Sequence, residues 1–345
     1  LLIIVSPVVW CVCLHCRCAC AGVFRFHKDN INVAFSTAEA FAPATVANLG
    51  VGFDIMGLAL DEPGDVVIAE YSDMPGIVVA AIEGDGGRLP RTPSKNTAAV
   101  AAQSVLKLAG VGHGARITIR KGLPSASGLG SSAASAVAAA VAVNALLDQP
   151  LSKEQLLPAC LDGEAVASGY HPDNVAPSLF GGITLAYGIR AHQIVRLPIP
   201  ADLYLTLVTP DVEVPTAQAR AVLPATIPLR QMVRQTAMVA RLIDAIYRAD
   251  VESMAAAMEG DEVIEPARAH LMPMLLEARA AAKAAGACAL VISGAGPTLC
   301  AVSRSAQAAA EATDALRMVY AEAHIECMAR WTQVASDGAR VLRVQ

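Results

Sequence analysis

Along most of this chain apolar residues recur in short runs closed by glycine or proline, and in longer stretches at helical spacing. The short runs predict strands over residues 65–71, 77–82, 115–119, 182–186 and 204–208. The longer stretches predict helices over 96–109, 131–147 and 229–248. In the last of these, Met232, Val239, Ile243 and Ile246 share one face while Arg234, Arg241 and Arg248 repeat on another, so an amphipathic helix with a solvated basic stripe is expected. A further helical region over 262–285 is interrupted by Pro266 and Pro273. It leads into a strand over 288–292, a glycine turn, a helix over 306–323 and a short strand over 340–344. The proline-rich stretch 197–200 marks an expected domain boundary.

Length and composition change this picture in two ways. At 345 residues the chain is large enough for two cores, and its 54% hydrophobic share, mostly Ala, Val and Leu, suits Ala-rich helices packed on sheets. A net charge of −5 provides no basic field for a polyanion, so a nucleic-acid partner is not expected. Cys160, Cys288, Cys300 and Cys327 lie in apolar surroundings and read as reduced core thiols. Residues 1–35 stand apart. They hold an apolar run over 1–14 and five cysteines, Cys11, Cys13, Cys16, Cys18 and Cys20, while the first methionine is Met56. The segment reads as an upstream extension that carries none of the chemistry. A signal or anchor is the second reading, although 14 residues are short for a membrane span, and a soft-metal site helped by His15 is the third.

The sharpest chemical feature is residues 123–134, Leu-Pro-Ser-Ala-Ser-Gly-Leu-Gly-Ser-Ser-Ala-Ala, running straight into an Ala/Val helix. Gly128 and Gly130 let backbone N–H groups approach an anion, and Ser131 and Ser132 offer hydroxyls at a helix N-terminus, where unpaired donors and the helix dipole favour a polyphosphate. No lysine follows the second glycine, so this is not a Walker A loop, and the spacing is not that of the dinucleotide fingerprint. Without further context the same residues describe a Ser-capped helix after a Gly turn.

Residues 124–134 resemble the central motif of the GHMP kinases, a group that includes galactokinase, homoserine kinase and mevalonate kinase. Residues 41–54, Phe-Ala-Pro-Ala-Thr-Val-Ala-Asn-Leu-Gly-Val-Gly-Phe-Asp, resemble the first motif in the form typical of the homoserine kinases, and residues 293–298, Ser-Gly-Ala-Gly-Pro-Thr, resemble the third. The likeness runs in order from Phe41 to the end of the chain. It implies an α+β fold of two domains: a ribosomal protein S5 domain 2-like domain over 36–196, with an unusual left-handed crossover, and a ferredoxin-like domain over 197–345, with nucleotide between them.

The resemblance also implies ATP and Mg²⁺ as cofactors and L-homoserine as the small-molecule substrate, in a cytoplasmic homodimer serving threonine biosynthesis. Pro124, Ser125, Ser127, Gly128, Leu129, Gly130, Ser131, Ser132 and Ala133 would line the nucleotide phosphates, and Asn96 would touch the nucleotide near its base. Ser132 and Glu164 would hold the metal, whose preference for hard oxygen ligands they meet. His171 and Asn174, in the run His-Pro-Asp-Asn-Val-Ala-Pro, would belong to the amino-acid pocket. Arg220 and Arg268 match carboxylate-binding arginines, since a guanidinium fork fits a planar carboxylate. Asp54 would take the ammonium, with Asn48, Thr216 and Gly294 around the substrate. Asp54, Asn174 and Arg220 are the expected catalytic group, working by alignment and charge neutralisation rather than through an obvious base. Taken singly, Glu164 reads as a solvated helix residue, His171 as structural and each arginine as a surface charge. A sibling kinase acting on mevalonate, a sugar or shikimate would share loop and cofactor. A non-catalytic binding protein on the same fold is the alternative from another class.

Overall fold

The computed structural model describes residues 33–345 and, upstream, two short strands, β1 (Ile3–Val5) and β2 (Val8–Trp10), which pair antiparallel. The cysteine cluster of residues 11–20 lies outside the described residues.

Residues 32–345 form one compact unit built on two sheets. The first contains β3 (Thr37–Ala47), β4 (Met56–Ser72), β5 (Gly76–Glu83), β6 (Gly114–Arg120), β7 (Ile183–Ala186), β8 (Ile194–Leu197) and β13 (Arg340–Val344). Its main path runs β13-β3-β4-β6-β5, and β7 joins β4 and carries β8. All pairings are antiparallel except β5 with β6, which α1 (Thr97–Leu108) connects. Against this sheet lies α2 (Ser131–Asn144), every residue of which from Ala133 to Asn144 is buried. Its lack of a polar face follows from being covered on all sides, by α1, by α3 (Lys153–Glu164) and by β3 and β4. The buried alanines Ala38, Ala40 and Ala42 alternate along β3 and let that helix lie close to the sheet.

The second sheet runs β10 (Ala289–Ile292), β11 (Leu299–Ser303), β9 (Tyr204–Pro210), β12 (Cys327–Gln333), all antiparallel. Between β9 and β10 lie α5 (Thr216–Ala221), α6 (Leu229–Tyr247), α7 (Val251–Met258), α8 (Ile264–Arg268) and α9 (Leu275–Ala284), and α10 (Ala306–Glu322) joins β11 to β12. A strand, helices, a hairpin, a helix and a strand in this spatial order make the ferredoxin-like arrangement. The last strand, β13, then returns to the first sheet, with Arg340 opposite Phe41 and Val344 opposite Ala38.

Several expectations change. Cys160 and Cys300 are buried, but Cys288 and Cys327 are only partly so, because they flank the sheet ends. On α6 the apolar face outruns the core: Ile246 is buried, whereas Met232 and Val233 stay exposed where the helix overhangs its neighbours. Its basic stripe is partly paired, Arg234 with Glu262 at 2.8 Å and Arg248 with Asp244 at 3.0 Å. The helix expected to reach 147 ends at Asn144, whose side-chain amide bonds both backbone groups of Leu151 instead of continuing the coil. Four helices, α3, α4 (Pro172–Phe180), α5 and α7, were not foreseen, and Pro158 and Pro177 lie inside the first two. A capping box nevertheless starts α3, with Ser152 and Gln155 bonding each other's backbone N–H.

Candidate active site

The loop before α2 is shaped by its glycines. Gly128 and Gly130 have φ of 81° and 64°, conformations that side chains rarely adopt. A Cβ on Gly128 would lie 2.5 Å from the Ser293 carbonyl oxygen, and one on Gly130 would lie 2.1 Å from Thr45 Oγ1. The loop is therefore clamped between β3 and the glycine turn that links β10 to β11. Thr298 Oγ1 donates to the Ser127 carbonyl at 2.6 Å, Ser293 Oγ to the Gly128 carbonyl at 2.7 Å, and the Thr45 N–H to the Leu129 carbonyl at 3.1 Å. The first bond inside α2 runs from the Ala134 N–H to the Gly130 carbonyl, so the N–H groups of Ser131, Ser132 and Ala133 precede the ladder and are open to an acceptor.

This helix end opens on a cavity of about 450 Å³, ordinary for a small-molecule site. Ser125, Ser127, Gly128, Gly130, Ser131 and Ser132 line it, with Asn96, Glu164 and Lys121. Pro124 instead lines a second cavity behind the loop, and the Leu129 and Ala133 side chains are packed in the core, so these two can offer only backbone groups. Asn96 caps α1: its Oδ1 accepts from the Ala99 N–H at 3.1 Å and its Nδ2 donates to the Pro90 carbonyl at 2.9 Å, leaving little of the amide for a ligand.

Glu164 is not a solvated helix residue. It is buried at the C-terminus of α3, where Ser132 Oγ donates to its Oε1 at 3.0 Å. Burial pushes its pKa up to about 7, partly offset by the Ser132 hydroxyl. Among the described residues, Glu164 Oε2, Ser127 Oγ and Arg220 Nε have no hydrogen-bond partner although buried, and all three residues line this cavity. Buried polar atoms are nearly always satisfied, so such a concentration marks a place prepared for a polar ligand. The Ser132 and Glu164 oxygens suit a hard cation shared with phosphate oxygens. Among the described residues no group of three or more His, Cys, Asp or Glu converges as a metal cage.

The same cavity is also lined by Asn48, Asp54, His171, Asn174, Thr216, Arg220, Arg268 and Gly294. Arg220 forks onto Asp54, with Nη1 to Oδ2 at 3.0 Å and Nη2 to Oδ1 at 2.8 Å. Arg268 is buried, its Nε donating to the Ala219 carbonyl at 3.0 Å and its Nη1 to the Gly294 carbonyl at 2.9 Å. Neither guanidinium is a free surface charge. Asn48, in the left-handed conformation at φ 73°, donates from Nδ2 to the Gly294 carbonyl and accepts from the Asp54 N–H, tying the first motif to the third. Thr45 Oγ1 donates to Asn174 Oδ1 at 2.6 Å, which fixes the amide with its NH₂ free to donate. His171 Nδ1 is 3.6 Å from Asp54 Oδ2, and burial holds its pKa below the usual histidine value.

Residues 96–182 match the GHMP kinases N terminal domain and residues 242–322 the GHMP kinases C terminal family. The homoserine kinase of Chloroherpeton thalassium is 37% identical over 314 residues, 88% of this chain and 98% of the relative. This chain belongs to the homoserine kinase family. The homoserine kinase of Xylella fastidiosa is 40% identical over 88% of this chain and 94% of its own length. The crystal structure of homoserine kinase from Cytophaga hutchinsonii superposes with a TM-score of 0.85 at 39% identity, covering 89% of this chain and 98% of that one. Mevalonate kinase from L. major, at 18% identity and TM-score 0.68, shares the fold.

Three residues of this homoserine kinase family site were not singled out from sequence. Lys121 is buried against Asp65, and its Nζ also donates to the Ser131 carbonyl at 3.0 Å and to Ser135 Oγ at 2.9 Å, so a cation sits beneath the start of α2. Its place just ahead of the glycine loop was the available signal. Asp173 is buried at the start of α4, and burial together with the charge of Asp54 pushes its pKa up to about 7. Phe53 lies beneath both guanidinium groups, 5.5 Å from Arg220 and 5.2 Å from Arg268. Among the described residues no helix is long and apolar enough to cross a membrane.

Proposed function

We propose that this chain transfers the γ-phosphoryl group of ATP to the side-chain hydroxyl of L-homoserine, giving O-phospho-L-homoserine and ADP on the way to threonine. The observation that carries the reading is convergence: the open N-terminus of α2 and the Asp54, Arg220 and Arg268 charges face one cavity. A triphosphate and a zwitterionic alcohol are what those two ends can hold.

The polyphosphate lies along the loop, accepting from the backbone of residues 128–133 and from the hydroxyls of Ser127 and Ser131. Lys121, paired with Asp65, braces the start of α2 beneath it through the Ser131 carbonyl. Ser132 and Glu164 would hold Mg²⁺, which supplies charge neutralisation at the β- and γ-phosphates when bound. Arg220 and Arg268 take the carboxylate of the amino acid, Asp54 its ammonium, and Thr216 and Asn48 bound the pocket. The Asn174 amide, held by Thr45, positions the hydroxyl. As the new oxygen–phosphorus bond forms, the bond from the γ-phosphorus to its bridging oxygen breaks and ADP leaves. The hydroxyl proton passes to an oxygen of the transferred phosphoryl group as the bond forms and goes from there to solvent, so no side chain need remove it first. A cytoplasmic homodimer belongs to the same reading, and resemblance alone supports it.

ADP release measured with L-homoserine, mevalonate, galactose and shikimate tests the reading directly. Turnover with L-homoserine alone is the expected result. Turnover with another acceptor would make the chain a sibling kinase, and ATP binding without turnover would make it a binding protein.

A further inference from the structure

Two arginines share the substrate end of the cavity, and what orients them differs. Arg268 is anchored by two backbone carbonyls. Among the described residues, Arg220 is hydrogen-bonded by one side chain, Asp54, and its Nε is buried without a partner. On the reading above, the substrate ammonium draws Asp54 away, so Arg220 loses that anchor at the moment it is needed. The two guanidinium groups also repel each other: Arg268 is held below the usual guanidinium pKa first by burial and then by the charge of Arg220. Besides the charge of Asp173, which acts on both, the group that remains against both among the described residues is the ring of Phe53, which also lines the cavity.

We infer that Phe53 is a positioning residue for the carboxylate clamp, its ring face holding Arg220 beside Arg268 when Asp54 turns to the substrate. An aromatic face carries partial negative charge from its quadrupole, so it attracts guanidinium without competing with the carboxylate for hydrogen bonds. A second carboxylate there would form hydrogen bonds to the fork and block it. An aliphatic side chain would fill the space and leave the two cations unscreened. The inference rests on the homoserine reading, because it assigns the arginines to a carboxylate.

The test compares Phe53→Leu, Phe53→Tyr and the protein carrying pentafluorophenylalanine at position 53, which keeps the ring nearly the same size and reverses its quadrupole. Each is assayed with L-homoserine and with 3-aminopropan-1-ol, the same acceptor without its carboxylate. The Leu and pentafluoro proteins are expected to raise the KM for L-homoserine on the order of tenfold, with kcat and the KM for ATP little changed. The Tyr protein should resemble the parent, and kcat/KM for 3-aminopropan-1-ol should be the same in all four. A pentafluoro protein with the parent KM overturns the inference, as does an equal loss with both acceptors, which would mean that the ring only shapes the pocket. Should the Leu protein fail to fold, the pentafluoro protein alone decides. A parent protein that phosphorylates neither acceptor overturns the functional reading and this inference together.

Discussion

Asp54 and Arg220 hold each other in the arrangement that a bound zwitterion would take from them. On the proposed reading a free α-amino acid would replace this one ion pair with two, its carboxylate on Arg220 and its ammonium on Asp54, so a ligand with only one of these charges would leave the other side chain unpaired. Asp54→Asn should therefore raise the KM for L-homoserine by about tenfold to a hundredfold and leave kcat largely intact. Steady-state kinetics checks this, and lost kcat with unchanged KM would make Asp54 a proton acceptor instead. Glu164 gives a pH-dependent prediction. Glu164 and Asp173 keep their protons up to about pH 7 in the folded chain, against ordinary values of 4.5 and 3.8. Between those limits the unfolded chain binds fewer protons, so the contribution of both groups to stability falls as pH rises from about 4 to 7 and is level above. Thermal melts of the ligand-free protein should show a shallower fall over that range for Glu164→Gln than for the parent. Because a metal needs the ionised carboxylate, apparent Mg²⁺ affinity should strengthen about tenfold between pH 6 and 8 in the parent, beyond any change seen in Glu164→Gln. Asp54, Arg220 and Arg268 were legible in the sequence through their motifs. Phe53, Lys121 and Asp173 were not, because their significance lies in side chains that folding brings from far away along the chain, Arg220 and Arg268 to Phe53, Asp65 to Lys121 and Asp54 to Asp173.

At the scale of elements, the glycine loop and the turn between β10 and β11 act as one clamp. A methyl group at Gly128 meets both the Ser293 and the Gly296 carbonyl oxygens, at 2.5 and 2.8 Å, and the residue's φ is 81°. Gly128→Ala should cost about 1–3 kcal/mol of stability and raise the KM for ATP more than that for L-homoserine, as melts and kinetics would report. Equal KM values for parent and variant would show that the phosphates do not use this loop. Such a loop is legible because its requirement for glycine and for a helix start is local. Elements shaped by tertiary context were harder to read. In β3 the buried alanines alternate with Thr37, Glu39 and Phe41 too weakly to signal a strand, and in α3 and α4 internal prolines argue for breaks that packing overrides.

Across the whole molecule, β13 returns from the second half of the sequence to pair with β3, beside the first motif. Such a long-range pairing has no local signature, and residues 340–344 showed only that a strand was there. Relatives match 88% of this chain, and every residue given a role lies beyond residue 40. Deleting residues 1–31 should leave kcat and both KM values within about twofold of the full chain, and a larger loss would give the segment a part in the chemistry. The central claim is that one cavity joins the γ-phosphate of ATP to the hydroxyl of an amino acid. Phosphorus NMR of a reaction containing the full chain, Mg²⁺, ATP and L-homoserine tests it most directly. ADP and one new phosphomonoester resonance, split by the two protons of the adjoining methylene, are the expected result. Inorganic phosphate appearing with ADP in place of that phosphomonoester, or no loss of ATP, would contradict it.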